Sequence, residues 1–197
     1  MDFERQASCQ DPRESTALLP VSQARALLQQ RLDVVEGNEK LPIERALGRV
    51  LAVDVISPID VPNHTNAAMD GFALAASALP SAGETVWLDV VGEAWAGRPW
   101  SGSLNGAEAV KIATGAVMPT GADTVVIVEH TQSDGQRVLI GDDTQPGRNV
   151  RHAGEDLRRG EVVFRSGTSL SAAEIGQLAL LGLAQICVKR KLKVAVF

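Results

Sequence analysis

Thr124-Val125-Val126-Ile127-Val128-Glu129-His130, then Asp134-Gly135, then Arg137-Val138-Leu139-Ile140, is the stretch whose reading decides the fold. Two runs of β-forming residues flank an Asp-Gly pair, and that pair supplies the positive φ that tight hairpin turns require. The stretch therefore reads as a β-hairpin with strands over Thr124–His130 and Arg137–Ile140. The same texture extends outward from Pro58 to about Asn149. Short apolar segments there are separated by Pro62-Asn63, Ala82-Gly83, Gly97–Pro99, Asn105-Gly106, Pro119–Gly121 and Pro146-Gly147. Strands at roughly 8–12 residue spacing predict a small barrel or sandwich.

The flanks have a different rhythm. Ala24, Leu27, Leu28 and Leu32 fall at helical spacing behind Ser22, which predicts a helix from Ser22 to about Val34 that Gly37-Asn38 stops. A helical turn over Ile43–Leu47 and a strand over Arg49–Ile56 follow. Beyond Arg151, Val162–Phe164 reads as a strand. Ser171-Ala172-Ala173-Glu174 has the capping-box pattern and opens a helix through Ile175, Leu178 and Leu181 that Gly182 closes. Ala184–Val188 and Leu192–Phe197 read as further strands.

The expected fold is thus mainly β with α+β. A discontinuous α+β domain (20–57 and 150–190) carries an inserted β-barrel-like domain (58–149), with a disordered lead-in at 1–19. Residues 191–197 are read as the first strand of a truncated α/β domain.

Composition narrows the function. With 45% hydrophobic and 22% charged residues the chain is of ordinary globular type. A formal net charge of −5 gives no reason to expect nucleic acid or an acidic membrane surface as partner. No apolar run approaches the roughly 18–20 residues of a membrane span. Cys9 and Cys187 stand far apart without CxxC spacing, so a reducing cytoplasm is the expected setting and neither zinc nor a disulfide framework is implied.

Three segments could carry chemistry. In Asn66–Ala73 (Asn-Ala-Ala-Met-Asp-Gly-Phe-Ala), Gly71 is expected to take a positive φ that lets Asp70 project from a turn. Thr114–Asp123 (Thr-Gly-Ala-Val-Met-Pro-Thr-Gly-Ala-Asp) can offer a hydroxyl and N–H groups to an oxyanion. Gly147–Asp156 places Arg148, Arg151, His152, Glu155 and Asp156 within ten residues, a mixed-sign cluster suited to an anion with a metal. Taken singly, each is also what a turn, a strand connection or a solvated loop looks like. His152 is given no role.

Together, and in this order, the segments resemble the molybdopterin molybdenumtransferase family, to which MoeA and the gephyrin E domain belong. The family's Ala-Met-Asp-Gly-Tyr/Phe-Ala motif matches Ala68–Ala73, its Thr-Gly-Ala-x-x-Pro-x-Gly-Ala-Asp motif matches Thr114–Asp123, and its Asn-Val/Ile-Arg-x-x-Gly-Glu-Asp motif matches Asn149–Asp156. Ala67 departs from the family's usual serine.

The resemblance implies a molybdenum insertase that transfers molybdate into adenylylated molybdopterin. Asp70, Thr114 and Asp156 would be its catalytic residues. Mg²⁺ would be held by Asp70 and Asp156, and Arg148, Arg151 and Gly115 would face the anionic substrate. It also implies a homodimer with sites shared between subunits, and a molybdopterin adenylyltransferase as a further partner. The family's chain continues beyond a strand like Lys193–Phe197 into an α/β domain, so the 197 residues are expected to hold half of a composite site and to lack independent turnover. The alternative is a non-catalytic dimerisation or interaction module of the same fold. An unrelated β-barrel carrier of a small anion would leave the three ordered motifs to chance.

Overall fold

The computed structural model describes residues 19–33 and 35–196. Apart from Leu19, the expected lead-in over 1–19 lies outside those residues, as do Cys9 and Phe197. The fold is β-rich with few helices. Its strands are β1 (Asn38–Pro42), β2 (Val55–Ile56), β3 (Asn66–Ala67), β4 (Gly71–Leu74), β5 (Val86–Ala94), β6 (Glu108–Ile112), β7 (Thr124–Ile127), β8 (Thr131–Ser133), β9 (Arg137–Ile140), β10 (Val150–Arg151), β11 (Val162–Phe164) and β12 (Gln185–Lys189). Helices α1 (Val21–Arg31) and α2 (Ala172–Leu180) lie towards the two ends.

Six strands form one sheet in the order β7-β4-β6-β5-β9-β8, antiparallel except for the β5–β6 pair. Side chains alternate across a strand, and here both faces are covered. Phe72, Leu74, Val126, Val138 and Ile140 pack on one side. Ala73, Val110, Ile112 and Val125 pack on the other with Leu104 and Ala116. The hairpin expected around Asp134-Gly135 forms, but its first strand is β8 rather than Thr124–His130. A 3-10 turn at Val128–His130 breaks that apolar run, so β7 pairs with β4 at one end of the sheet and β8 with β9 at the other.

A separate core joins residues distant in sequence. Ala46, Leu51 and Val55 pack with Leu170, Leu178, Ile186 and Val188. β1 pairs with β12 and β2 with β11, both antiparallel, across more than a hundred residues of chain. Over Asn38–Lys40 β1 carries no apolar signal, and only at Leu41 does it pack against this core. Arg49 holds it, donating from Nη2 to the Glu39 carboxylate and, at 2.6 Å, to the Lys189 carbonyl. The strand expected over Arg49–Ile56 reduces to β2 and single bridges at Val50 and Leu51, because the segment alternates between partners in the 168–170 loop and in β12.

The Ser171 capping box is complete, with Ala173 N–H donating to Ser171 Oγ at 3.2 Å and Ser171 N–H donating to Glu174 at 2.7 Å. The first helix differs from expectation. Its N-cap is Pro20 rather than Ser22, it ends at Arg31, and Leu27, Leu28 and Leu32 are exposed. The strand expected over Leu192–Phe197 is not formed at 191–196, where no described strand offers hydrogen-bond partners.

Candidate functional site

The first of the three segments is the middle member of a hydrogen-bonded junction with the other two. Ala67 N–H donates to the Ala116 carbonyl at 3.0 Å, and Gly115 N–H donates to the Ala67 carbonyl at 2.8 Å. On its other side, β3 pairs antiparallel with β10, Val150 opposite Ala67 and Arg151 opposite Asn66, and Ala68 N–H donates to the Asn149 carbonyl at 2.9 Å. Asn149 supports the junction from a positive φ of 57°, its side chain donating to the Val125 carbonyl at 2.9 Å. Such a φ is rare outside glycine and Asn tolerates it best.

Three residues on from Ala67, Asp70 closes a clamp with Thr114. Its Oδ1 accepts from the Thr114 backbone N–H and from the Thr114 hydroxyl, both at 2.7 Å. The backbone donor first, and the hydroxyl second, hold the Asp70 carboxyl below its ordinary value, since each hydrogen bond favours the charged form. No described residue donates to Oδ2. Gly71 does not take the positive φ expected of it; it is the first residue of β4. Its requirement is closeness: a Cβ there would meet the Val126 carbonyl oxygen at 2.0 Å.

Asp70 stands on the rim of a cavity of about 180 Å³ that Phe72, Trp95, Lys111, Ile112 and Val128 help to line. Lys111 lies directly opposite Phe72 across the β4–β6 pair, so the two share a face of the sheet. Sequence reasoning missed both Lys111 and Trp95. The only available signal was alternation in β6, where the lone charged residue between Val110 and Ile112 marks a different environment.

The third segment makes a separate cluster. Arg151 donates from Nε to Glu155 and from Nη2 to Asp156, each at 2.6 Å, and Glu155 also accepts the His152 N–H at 2.8 Å. The Arg151 bond, then the His152 N–H, lower the Glu155 carboxyl, while Glu155 first and Asp156 second raise the Arg151 guanidinium. Asp156 lines another cavity, with Leu157, Val163 and Leu181. The structure thus brings Asp70 to Thr114 and Arg151 to Asp156, but puts the two aspartates on different cavities. Among the described residues, no three His, Cys, Asp or Glu side chains gather as a metal-binding group.

Two expected anion contacts change as well. Gly115 has the positive φ of a turn (79°), but its N–H is spent on Ala67 and so is not free for an oxyanion. Ala116 N–H is likewise spent, on the Ala113 carbonyl at 3.0 Å. Arg148 is exposed and makes no ion pair among the described residues, whereas Arg151 is committed to its neighbours.

These features define a β-rich region of two packed parts, one discontinuous in sequence, with loop motifs gathered on a short ribbon between sheet and polar loop. The specific family follows from comparison. Residues 19–182 match the family model described as MoeA N-terminal region (domain I and II), and the chain belongs to that family. It is 36% identical over 180 residues to a molybdopterin molybdenumtransferase of Haemophilus influenzae, covering 91% of this chain and 44% of that protein. It is 38% identical over 169 residues to a molybdopterin molybdenumtransferase of Nostoc, covering 85% and 39%. A crystal structure of a molybdopterin biosynthesis MoeA protein from Pyrococcus horikoshii superposes with a TM-score of 0.83 at 34% identity, covering 88% of this chain and 46% of that one. The chain spans less than half the length of these relatives.

Proposed function

We propose that this chain supplies the N-terminal half of a molybdenum insertase, which transfers molybdate into adenylylated molybdopterin in molybdenum cofactor biosynthesis. The observation that carries the reading is the Asp70–Thr114 clamp, fixed by a backbone junction that also binds the Asn149–Asp156 motif. Relatives that bear the transferase name support the reaction class.

Molybdate and a pyrophosphate linkage are both anions, so an aspartate meets them only through a cation. Mg²⁺ takes oxygen ligands, commonly one or two carboxylates with phosphate oxygens and water completing the shell. Asp70 fits that demand, because its charge is met only by neutral donors and no described residue donates to its Oδ2. Asp156 does not join it, since its carboxylate is paired with Arg151 on another cavity. An ion bound at Asp70 would offset the negative charge of both substrates. Thr114 spends its hydroxyl proton on Asp70 and keeps its lone pairs to accept from an ordered water. Among the described residues Arg148 is the cation of the third motif that makes no ion pair, and Arg151 sets the shape of its loop.

A half-site requires the remainder of the insertase, and a homodimer would bring the parts together in a cytoplasmic enzyme that receives its substrate from a molybdopterin adenylyltransferase. Exposed Leu27 and Leu28 on α1, with Leu32 just beyond its end, favour a second role as a dimerisation or interaction module. The test mixes adenylylated molybdopterin, molybdate and Mg²⁺ with this chain, and separately with a full-length relative. Nucleotide release and active cofactor are followed. Product from the relative and none from the chain alone supports the half-site. Turnover by the chain alone overturns it.

A further inference from the structure

The cavity beside Asp70 makes the proposed function more specific, and the inference rests on that reading. The chain has three tryptophans. Trp87 carries the Arg137 guanidinium over its ring at 5.3 Å. Trp100 is wedged against Gly92 and Gly102, where added Cβ atoms would come within 2.3 and 2.2 Å of it. Trp95 is different. It is 42% exposed at the edge of an apolar cavity, and among the described residues no cation covers its ring.

It is also held in place. Trp95 and Arg98 exchange backbone hydrogen bonds of 3.0 and 2.9 Å, and the indole N–H donates to Glu93 at 3.2 Å. A fixed, half-exposed indole beside apolar walls is suited to stacking on a flat ring. Lys111 lines the same cavity and supplies a cation for phosphate. The volume of about 180 Å³ is smaller than the roughly 300–1,000 Å³ of sites that enclose a whole small molecule. The space therefore suits one part of a larger ligand.

We propose that this cavity receives the planar ring of a phosphate-bearing nitrogen heterocycle, with Trp95 stacking on the ring and Lys111 meeting the phosphate. A purine and a pterin share that chemistry. Both ends of an adenylylated pterin qualify, so the experiment must separate them.

Titration of the 197-residue chain with AMP, with a pterin monophosphate and with adenosine, in Mg²⁺, is followed by calorimetry and by the indole N–H resonances. The expected result is saturable binding that moves the Trp95 resonance. Stronger binding of AMP assigns the purine end to the cavity, and stronger binding of the pterin phosphate assigns the pterin end. Trp95→Leu weakens binding roughly 5- to 150-fold, the range of base–aromatic stacking, while Trp95→Phe retains most of it. Lys111→Met weakens AMP more than adenosine. The proposal is overturned if neither phosphorylated ring binds, or if Trp95→Leu, shown folded by circular dichroism, binds like the parent chain. Turnover is not read here. Absent ring binding beside an active assembled enzyme removes the ring pocket and leaves the insertase reading standing, and ring binding without turnover does the reverse.

Discussion

Asp70 and Asp156 belong to motifs that hydrogen-bond to the same short ribbon, yet they are held in opposite ways. Asp70 is positioned by neutral donors, a backbone N–H and a hydroxyl, and makes no ion pair among the described residues beside its cavity. Asp156 shares the guanidinium of Arg151 with Glu155, and its charge is largely answered within its own loop. The backbone follows the same division. Gly71 sits in a sheet where the next strand leaves no room for a side chain, whereas Gly154 sits in a loop where the constraint is a positive φ of 73°. The comparison teaches that sharing a motif set does not give two carboxylates one environment: one is clamped by neutral donors, where the proposed function would have it meet a cation, and the other is ion-paired within its loop.

The largest expected effect tests the rigidity of the Asp70 side. In Gly71→Ala the new Cβ would meet the Val126 carbonyl, a backbone atom that cannot swing away, at 2.0 Å. Overpacking of that kind costs about 3 kcal/mol, enough to lower the urea midpoint strongly. Gly154→Ala meets Asp60 Oδ1 and Arg158 Cγ at 3.2 and 3.3 Å, contacts that side chains can relax. Its cost is the left-handed backbone, about 1–2 kcal/mol. Equal losses in the two variants would erase the contrast between a strand-locked and a loop-borne aspartate.

Next in size is the effect on chemistry. In the assembled full-length enzyme, Asp70→Asn is expected to reduce cofactor formation by at least roughly 10- to 100-fold, the loss that even a group supporting a metal ligand produces, with the deficit partly relieved by excess Mg²⁺. Asp156→Asn, which keeps an acceptor for Arg151, should stay within about tenfold of the parent on the same scale. An Asp156→Asn defect as deep as that of Asp70→Asn would show that the ion pair opens during turnover and that both aspartates serve the site.

Acid titration sharpens the difference further. Both carboxyls are depressed in the folded state, Asp70 from 3.8 and Glu155 from 4.5. The unfolded chain therefore takes up protons first on acidification. Each contribution to stability is complete above the unfolded value and is lost as pH falls through the depressed folded one. Glu155→Gln should flatten the stability curve from the neighbourhood of pH 4.5 downward, and Asp70→Asn only from nearer 3.8. Added salt should weaken the Glu155 contribution more, because it rests on an exposed ion pair rather than on neutral donors. Urea melts across pH 3–6 at two ionic strengths would show whether the two curves separate.

The contrast also marks how far the sequence could be read. The Ser171 capping box and the turn at Asp134-Gly135 are local, and local chemistry is enough to place them. What depends on distant partners was not legible. β1 is polar at Asn38-Glu39-Lys40 and exists because β12 and Arg49 accept it. The run Thr124–His130 looks like one strand, but a 3-10 turn at Val128–His130 ends β7 early, and β8 begins only at Thr131, at the opposite end of the same sheet. In the candidate site the motif residues were visible as motifs. Their division into a clamp and an ion pair was not, since neither Gly115's commitment to Ala67 nor Arg151's to Glu155 follows from spacing. Lys111 and Trp95 had no motif at all, and only the register of β6 against β4 and the hairpin tip at Trp95–Arg98 bring them to Asp70's cavity.

The smallest effect concerns the one residue that departs from the family pattern within the motifs. Ala67 is 1% exposed and packs with Ala73, Val110, Ala116 and Val125, on the apolar side of the ribbon. Its backbone belongs to the junction, but its side chain lies in the core. A serine hydroxyl there would be buried among methyl groups and would gain at most a nearby carbonyl as partner, so Ala67→Ser should shift stability by about 1 kcal/mol in the destabilising direction. Cofactor formation by the assembled enzyme should stay unchanged. If Ala67→Ser instead raises that activity several-fold, the hydroxyl reaches the Asp70 clamp through the ribbon. The alanine would then be a functional loss rather than a packing choice, and the boundary between the junction's backbone and its core would lie deeper in the core.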